Sequence, residues 1–95
     1  MVNIAIIETE RAERLMKALC NHFSRKTKAG YEGNHGDIHF KYGICRLDVF
    51  PSSLKIQVEA ENEENLTRTK KVVVEHLLRF SPAETLQVDW DSDQQ

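Results

Sequence analysis

The apolar residues of this chain follow two rhythms, one of period two and one close to 3.6, and the switches between them outline a fold. Residues 2–7 are rich in Ile and Val and alternate loosely, which predicts a first strand buried on one side and partly on the other. Thr9 then offers an N-cap. Ala12, Leu15, Met16, Leu19 and Phe23 recur at spacings of three and four, the apolar stripe of a helix of about four or five turns that fades near Lys26. Arg11, Arg14 and Lys17 form its wet side.

From Thr27 to Ala60 the period drops to two, and Gly and Pro mark the corners of a run of hairpins. Gly33-Asn34-His35-Gly36 is the first corner. Ile38, Phe40 and Tyr42 alternate with Asp37, His39 and Lys41, and after Gly43 the residues Cys45, Leu47 and Val49 alternate with Arg46 and Asp48. Pro51-Ser52-Ser53 makes the next turn, because proline presets its backbone angle and cannot donate to a ladder. Leu54, Ile56, Val58 and Ala60 follow, with Lys55, Gln57 and Glu59 on the wet face.

Asn62, Glu63 and Glu64 predict a helix start, since first-turn carboxylates complement the positive end of the helix dipole. Leu66, Val73, Leu77 and Phe80 carry that helix through the β-branched run Val72-Val73-Val74 to a stop at Ser81-Pro82. Thr85 to Trp90 alternates again and predicts a last short strand before a frayed tail over residues 91–95. The order β-α-β-β-β-β-α-β makes one α+β domain over residues 1–95. It is a two-layer sandwich with both helices on one face of a mostly antiparallel sheet, TBP-like or ferredoxin-like in general appearance. The other face stays open. It is expected to carry His35, Asp37, His39, Lys41, Arg46, Asp48, Lys55, Gln57 and Glu59, with no large apolar patch.

Composition narrows the function classes. An apolar share of 40% and a charged share of 29% fit a packed domain rather than a disordered one. A net charge of -2 lacks the basic surplus of a nucleic-acid binder. The basic clusters Arg25, Lys26, Lys28 and Arg68, Lys70, Lys71 read as solvated faces, the second diluted by Glu63, Glu64 and Glu75. The start carries no charged leader and no stretch reaches membrane-spanning length, so a cytoplasmic protein without membrane contact is expected. Cys20 and Cys45 lack Cys-x-x-Cys spacing and read as reduced small hydrophobes.

Leu19-Cys20-Asn21-His22-Phe23, the strand-turn Phe40-Lys41-Tyr42-Gly43-Ile44-Cys45, the stretch His76-Leu77-Leu78-Arg79-Phe80 and the terminal Val88-Asp89-Trp90, in that order, resemble the bacterial domain-of-unknown-function family 2218. The resemblance runs from the first strand to Trp90. It implies a stand-alone small bacterial protein without an assigned activity, sometimes associated with siderophore-interacting flavoproteins of iron uptake. It also implies that the recurrent polar positions are His22 and His76, whereas His35 and His39 fall where that family carries no particular histidine.

His22 and His76 each border an apolar stripe, so both can turn inward between helix and sheet. Two imidazoles with a thiol such as Cys20 would form a soft metal- or haem-ligating set. The plainer alternative is that each histidine buttresses its helix by donating to a carbonyl. On the open face, His35, Asp37 and His39 share one strand. Successive same-face residues lie about 6.6 Å apart, so one histidine with Asp37, rather than both histidines, could serve a metal. No nucleophile–base pair, paired carboxylates or phosphate loop is visible, although His22 or His76 could act as an acid or base. The residues point to a small accessory or binding module with its cofactor undefined, and the resemblance implies a bacterial one linked to iron or siderophore handling. An interaction or homo-oligomerisation subunit is the alternative and an enzyme the second one, and a homodimer and a siderophore-interacting flavoprotein are the expected partners.

Overall fold

The computed structural model describes residues 1–82 and 84–92. Its elements run β1 (Val2–Glu8), α1 (Ala12–Phe23), β2 (Lys28–Glu32), β3 (His35–His39), β4 (Ile44–Phe50), β5 (Ser53–Glu59), α2 (Glu63–Arg79) and β6 (Asp91–Ser92). The sheet order is β2-β3-β4-β5-β1-β6, antiparallel at every junction. α1 carries the chain from β1 to the far edge, and the meander β2 to β5 then returns to β1. Both helices lie on one face, and Ile7, Leu15, Leu19, Ile38, Leu47, Ile56, Val73 and Leu77 are fully buried between the layers. No helix among the described residues is long and apolar enough to cross a membrane.

The turns follow local chemistry. Gly33 has φ +61° between the paired residues Glu32 and His35, and its left-handed backbone at the first central position suits a tight hairpin. Asn62 caps α2, its side-chain carbonyl accepting the Asn65 N–H at 2.8 Å. α2 carries the valine run without interruption, because Val73 is fully buried there and packing outweighs the propensity penalty.

Four expectations shift. Thr9 is not the cap of α1. Its hydroxyl accepts the Arg11 N–H at 3.1 Å and donates to the Glu84 carboxylate, so the helix starts at Ala12 and spans 12 residues rather than four or five turns. β3 ends at His39 instead of running on to Tyr42, because Phe40–Gly43 is the turn, closed by the Phe40 N–H on the Gly43 carbonyl at 2.8 Å. Lys41 thus lies in a turn and not on the open face. The last strand is displaced from Thr85–Trp90 to Asp91–Ser92, where Asp91 pairs with Ile4; residues 93–95 of the expected tail lie outside the described residues. Asn3 explains the displacement. Buried in β1, it donates to the Asp91 carbonyl at 3.2 Å and accepts from Lys70 Nζ at 2.8 Å, which pins the chain beyond Trp90.

The open face also differs. β1 turns Asn3, Ala5 and Ile7 inward and leaves Val2, Ile4 and Ile6 outward, with Ile6 63% exposed. Period two decides this, since every second residue of the same strand must face out. The polar positions of β3 to β5 are therefore bordered by an apolar column, and β4 itself adds Ile44 and Phe50, 48% exposed, at its two ends.

Candidate functional site

His22 and His76 occupy the last turns of α1 and α2. The two helix C-termini converge beside the β3–β4 turn, and the imidazole centroids lie 4.8 Å apart at an interplanar angle of 43°. Phe23 meets His22 edge-on at 4.9 Å and His76 at 4.7 Å, Phe40 packs edge-on against Phe23 at 5.0 Å, and Phe80 lies 5.6 Å from His22. Both histidines are half-buried. The result is an imidazole pair set in a wall of phenylalanines.

His76 Nδ1 lies 2.8 Å from the Val72 carbonyl oxygen. A carbonyl can only accept, so Nδ1 carries a proton, and in the neutral form of such a ring Nε2 holds the lone pair. The buttressing role expected of a helix histidine is thus filled by one nitrogen and leaves the other for a ligand. His22 titrates below its ordinary range, first because burial disfavours the charged ring, then because His76, Lys26, Arg79 and Arg25 are close enough to repel a proton. Neutral imidazole is the metal-ligating form.

This depression has a stability consequence. With the folded value below the unfolded one near 6.5, the unfolded chain takes up the proton first as pH falls. His22 therefore leaves stability at its full value above pH 6.5 and reduces it as pH drops through that value toward the folded one. Urea unfolding between pH 7.5 and 5.5 should show a smaller decline for His22→Gln than for the parent chain, and equal slopes would contradict the reading.

Cys20 stands apart from the pair. It is fully buried, and its Sγ would lie 2.9 Å from a Cβ placed on Gly36. Burial, with the charge of Asp37 adding to it, pushes its thiol up to about 11, so it remains protonated and packs against the sheet. Cys45 is fully buried too, and its thiol is pushed further up by burial. On the open face His35 Nδ1 lies 3.0 Å from Asp48 Oδ1, and His39 Nε2 lies 3.6 Å from Asp37 Oδ2. The strand register divides the two histidines between separate carboxylates. Among the described residues no three His, Cys, Asp or Glu side chains converge as a metal site.

The walls of the site escaped sequence reasoning. Phe40 reads as a strand residue and Phe80 as the end of a stripe. Arg25 and Lys26 read as solvated charge, and the meeting of the helix ends brings Arg79 to His22 beside them.

Two helices on one face of an antiparallel sheet place this molecule among two-layer α+β domains. Among them, the chain belongs to the DUF2218 family, described as an uncharacterised protein conserved in bacteria, whose model matches residues 4–91. Among solved structures, the NMR structure of PA4090 from Pseudomonas aeruginosa is similar to it at TM-score 0.83 and 26% identity, covering 99% of this chain and 98% of that one. No curated protein matches.

Proposed function

We propose that this domain binds a metal ion carried by an anionic organic chelate, with His22 and His76 as neighbouring donors, in iron or siderophore handling. The imidazole pair carries this reading. A metal about 2.0–2.1 Å from each ring nitrogen puts the two ring centroids roughly 4.5–5.2 Å apart for adjacent coordination positions and above about 6 Å for opposite ones. The observed 4.8 Å favours adjacent donors on one ion over two axial ligands on a haem iron.

The described residues offer two donors here, so the incoming ligand supplies the remainder. Arg25, Lys26 and Arg79 around His22 favour negative charge on that ligand, and the half-buried rings of Phe40 and Phe80 favour an aromatic one. A ferric catecholate combines these properties. Such a module would hand its cargo to, or take it from, a reductase of the siderophore-interacting flavoprotein kind.

The test is a titration with ferric catecholate and, separately, with zinc, following the ring signals of His22 and His76 by NMR. Both rings should shift, and His76→Ala should weaken binding at least about tenfold, the loss expected for one metal ligand. Binding by His22→Ala and His76→Ala as tight as by the parent chain would overturn the proposal.

A further inference from the structure

We propose that the open face of the sheet is a homodimer interface, in which β5 and β1 of two copies stack about a two-fold axis along the row Gln57–Ile4. The register fixes which outward residues lie on either side of that row. On β5, Lys55 and Glu59 flank Gln57, and on β1, Ile6 and Val2 flank Ile4, with Lys55 opposite Ile6 and Glu59 opposite Val2.

A two-fold axis in the plane of the sheet and perpendicular to the strands exchanges the two sides. Lys55 of one copy then faces Glu59 of the other, twice. Val2 faces Ile6, also twice, and Ile4 packs on its own counterpart. On β5 the charges are antisymmetric and on β1 the apolar column is symmetric about the same line, as an isologous contact centred on these two strands requires; on β4 the operation sets Asp48 near Ile44 and Arg46 near its own copy, so the contact is confined to β5 and β1. β2 repeats the sign change with Lys28 and Glu32 on either side of Gly30.

The surface is unlike a plain solvated face. Ile6 is 63% exposed, and the column it belongs to runs the length of β1. A second copy covers this column with apolar side chains and places opposite charges at its border, whereas a wholly apolar partner would strand Lys55 and Glu59. Two sheets stacked face to face cross at about 30°, so contact concentrates at the β5–β1 centre and the outer strands diverge. Arg46, which would otherwise lie near its own copy on β4, is held aside by its ion pair with Glu59, Nη1 to Oε1 at 2.5 Å. Such a contact is smaller than a standard interface of roughly 800 Å² per partner, so the dimer is weak and salt-sensitive.

Sedimentation equilibrium of the full chain up to about 1 mM tests the proposal. The 11.0 kDa monomer should give way to twice that mass with rising concentration. Lys55→Glu should raise the dissociation constant at least about tenfold by setting four carboxylates against one another. In an Arg46→Gln background, which removes the intrachain partner of residue 59, combining it with Glu59→Lys exchanges the two charges and should restore dimerisation to within about threefold of that background. Ile6→Asn, at a position whose exposure leaves folding unaffected, should weaken it comparably. A monomer at every concentration, a dimer indifferent to Lys55→Glu and Ile6→Asn, or a charge-exchanged variant that fails to recover would each overturn the proposed interface.

Discussion

Replacing Gly43 with valine is expected to lower the unfolding free energy by about 3 kcal/mol, at the top of the range for overpacking a buried site. Gly43 sits in the β3–β4 turn beneath α2. A Cβ there would fall inside the Thr69 hydroxyl and within 2.9 Å of the Glu59 carbonyl oxygen. Neither neighbour can move freely. Thr69 is fully buried with its hydroxyl donating to the Asn65 carbonyl at 2.8 Å, and Glu59 belongs to a ladder strand. α2 must therefore rise from the sheet or the turn must open. Chemical denaturation measures the loss. Thr69→Ala in the same background should recover part of it, while the Glu59 carbonyl keeps the remainder. Thr69, Val73 and His76 follow one another along a single side of α2, so a displaced helix also moves His76. The ring signals of His22 and His76 should change in Gly43→Val, and a variant as stable as the parent would contradict this account of the turn.

The second large effect lies under α1. Gly36→Ala should cost about 2 kcal/mol, because the added methyl would stand 2.9 Å from Cys20 Sγ and 3.2 Å from Met16 Cγ and Sδ. Cys20→Ala removes the nearest atom. The double variant should then lose about 1 kcal/mol less than the sum of the two single losses, the coupling expected of groups in direct contact. Strict additivity in a denaturation cycle would show that Gly36 is needed for another reason. The two glycines set how closely each helix approaches the sheet. Gly36 lets α1 down on β3 and Gly43 lets α2 down on the β3–β4 turn, and the helix ends that carry His22 and His76 meet at the height these approaches allow.

This division separates what the residues announce from what they conceal. The eight elements, their order and the helix faces are local matters. A stripe such as Leu15, Leu19 and Phe23, or an alternation such as Leu54, Ile56 and Val58, must bury one side of whichever element it forms. Asn62 could be read as a cap because its partner is three residues away. Thr9 could not, because its hydroxyl accepts from Arg11, ahead of the helix, and is oriented by donating to Glu84 at the far end of the chain. The last strand was misplaced for the same reason: alternation of Leu86, Val88 and Trp90 marks a packed edge, but the ladder forms where Asn3 and Lys70 hold the backbone at Asp91.

The candidate site was legible only as two histidines on stripe borders. Their separation of 4.8 Å, the wall of Phe23, Phe40 and Phe80, and the basic rim arise where two helix ends and one turn converge. The same holds for Cys20, which the sequence sets two residues from His22 and the helix turns toward Gly36 instead. By itself the sequence determined the two-layer α+β fold, the buried faces and the reduced cysteines, because periodicity and capping act over a few residues. The tertiary structure alone decided the imidazole pair and the phenylalanine wall around it, because these depend on the packing distance of segments remote in the chain, which no local pattern encodes.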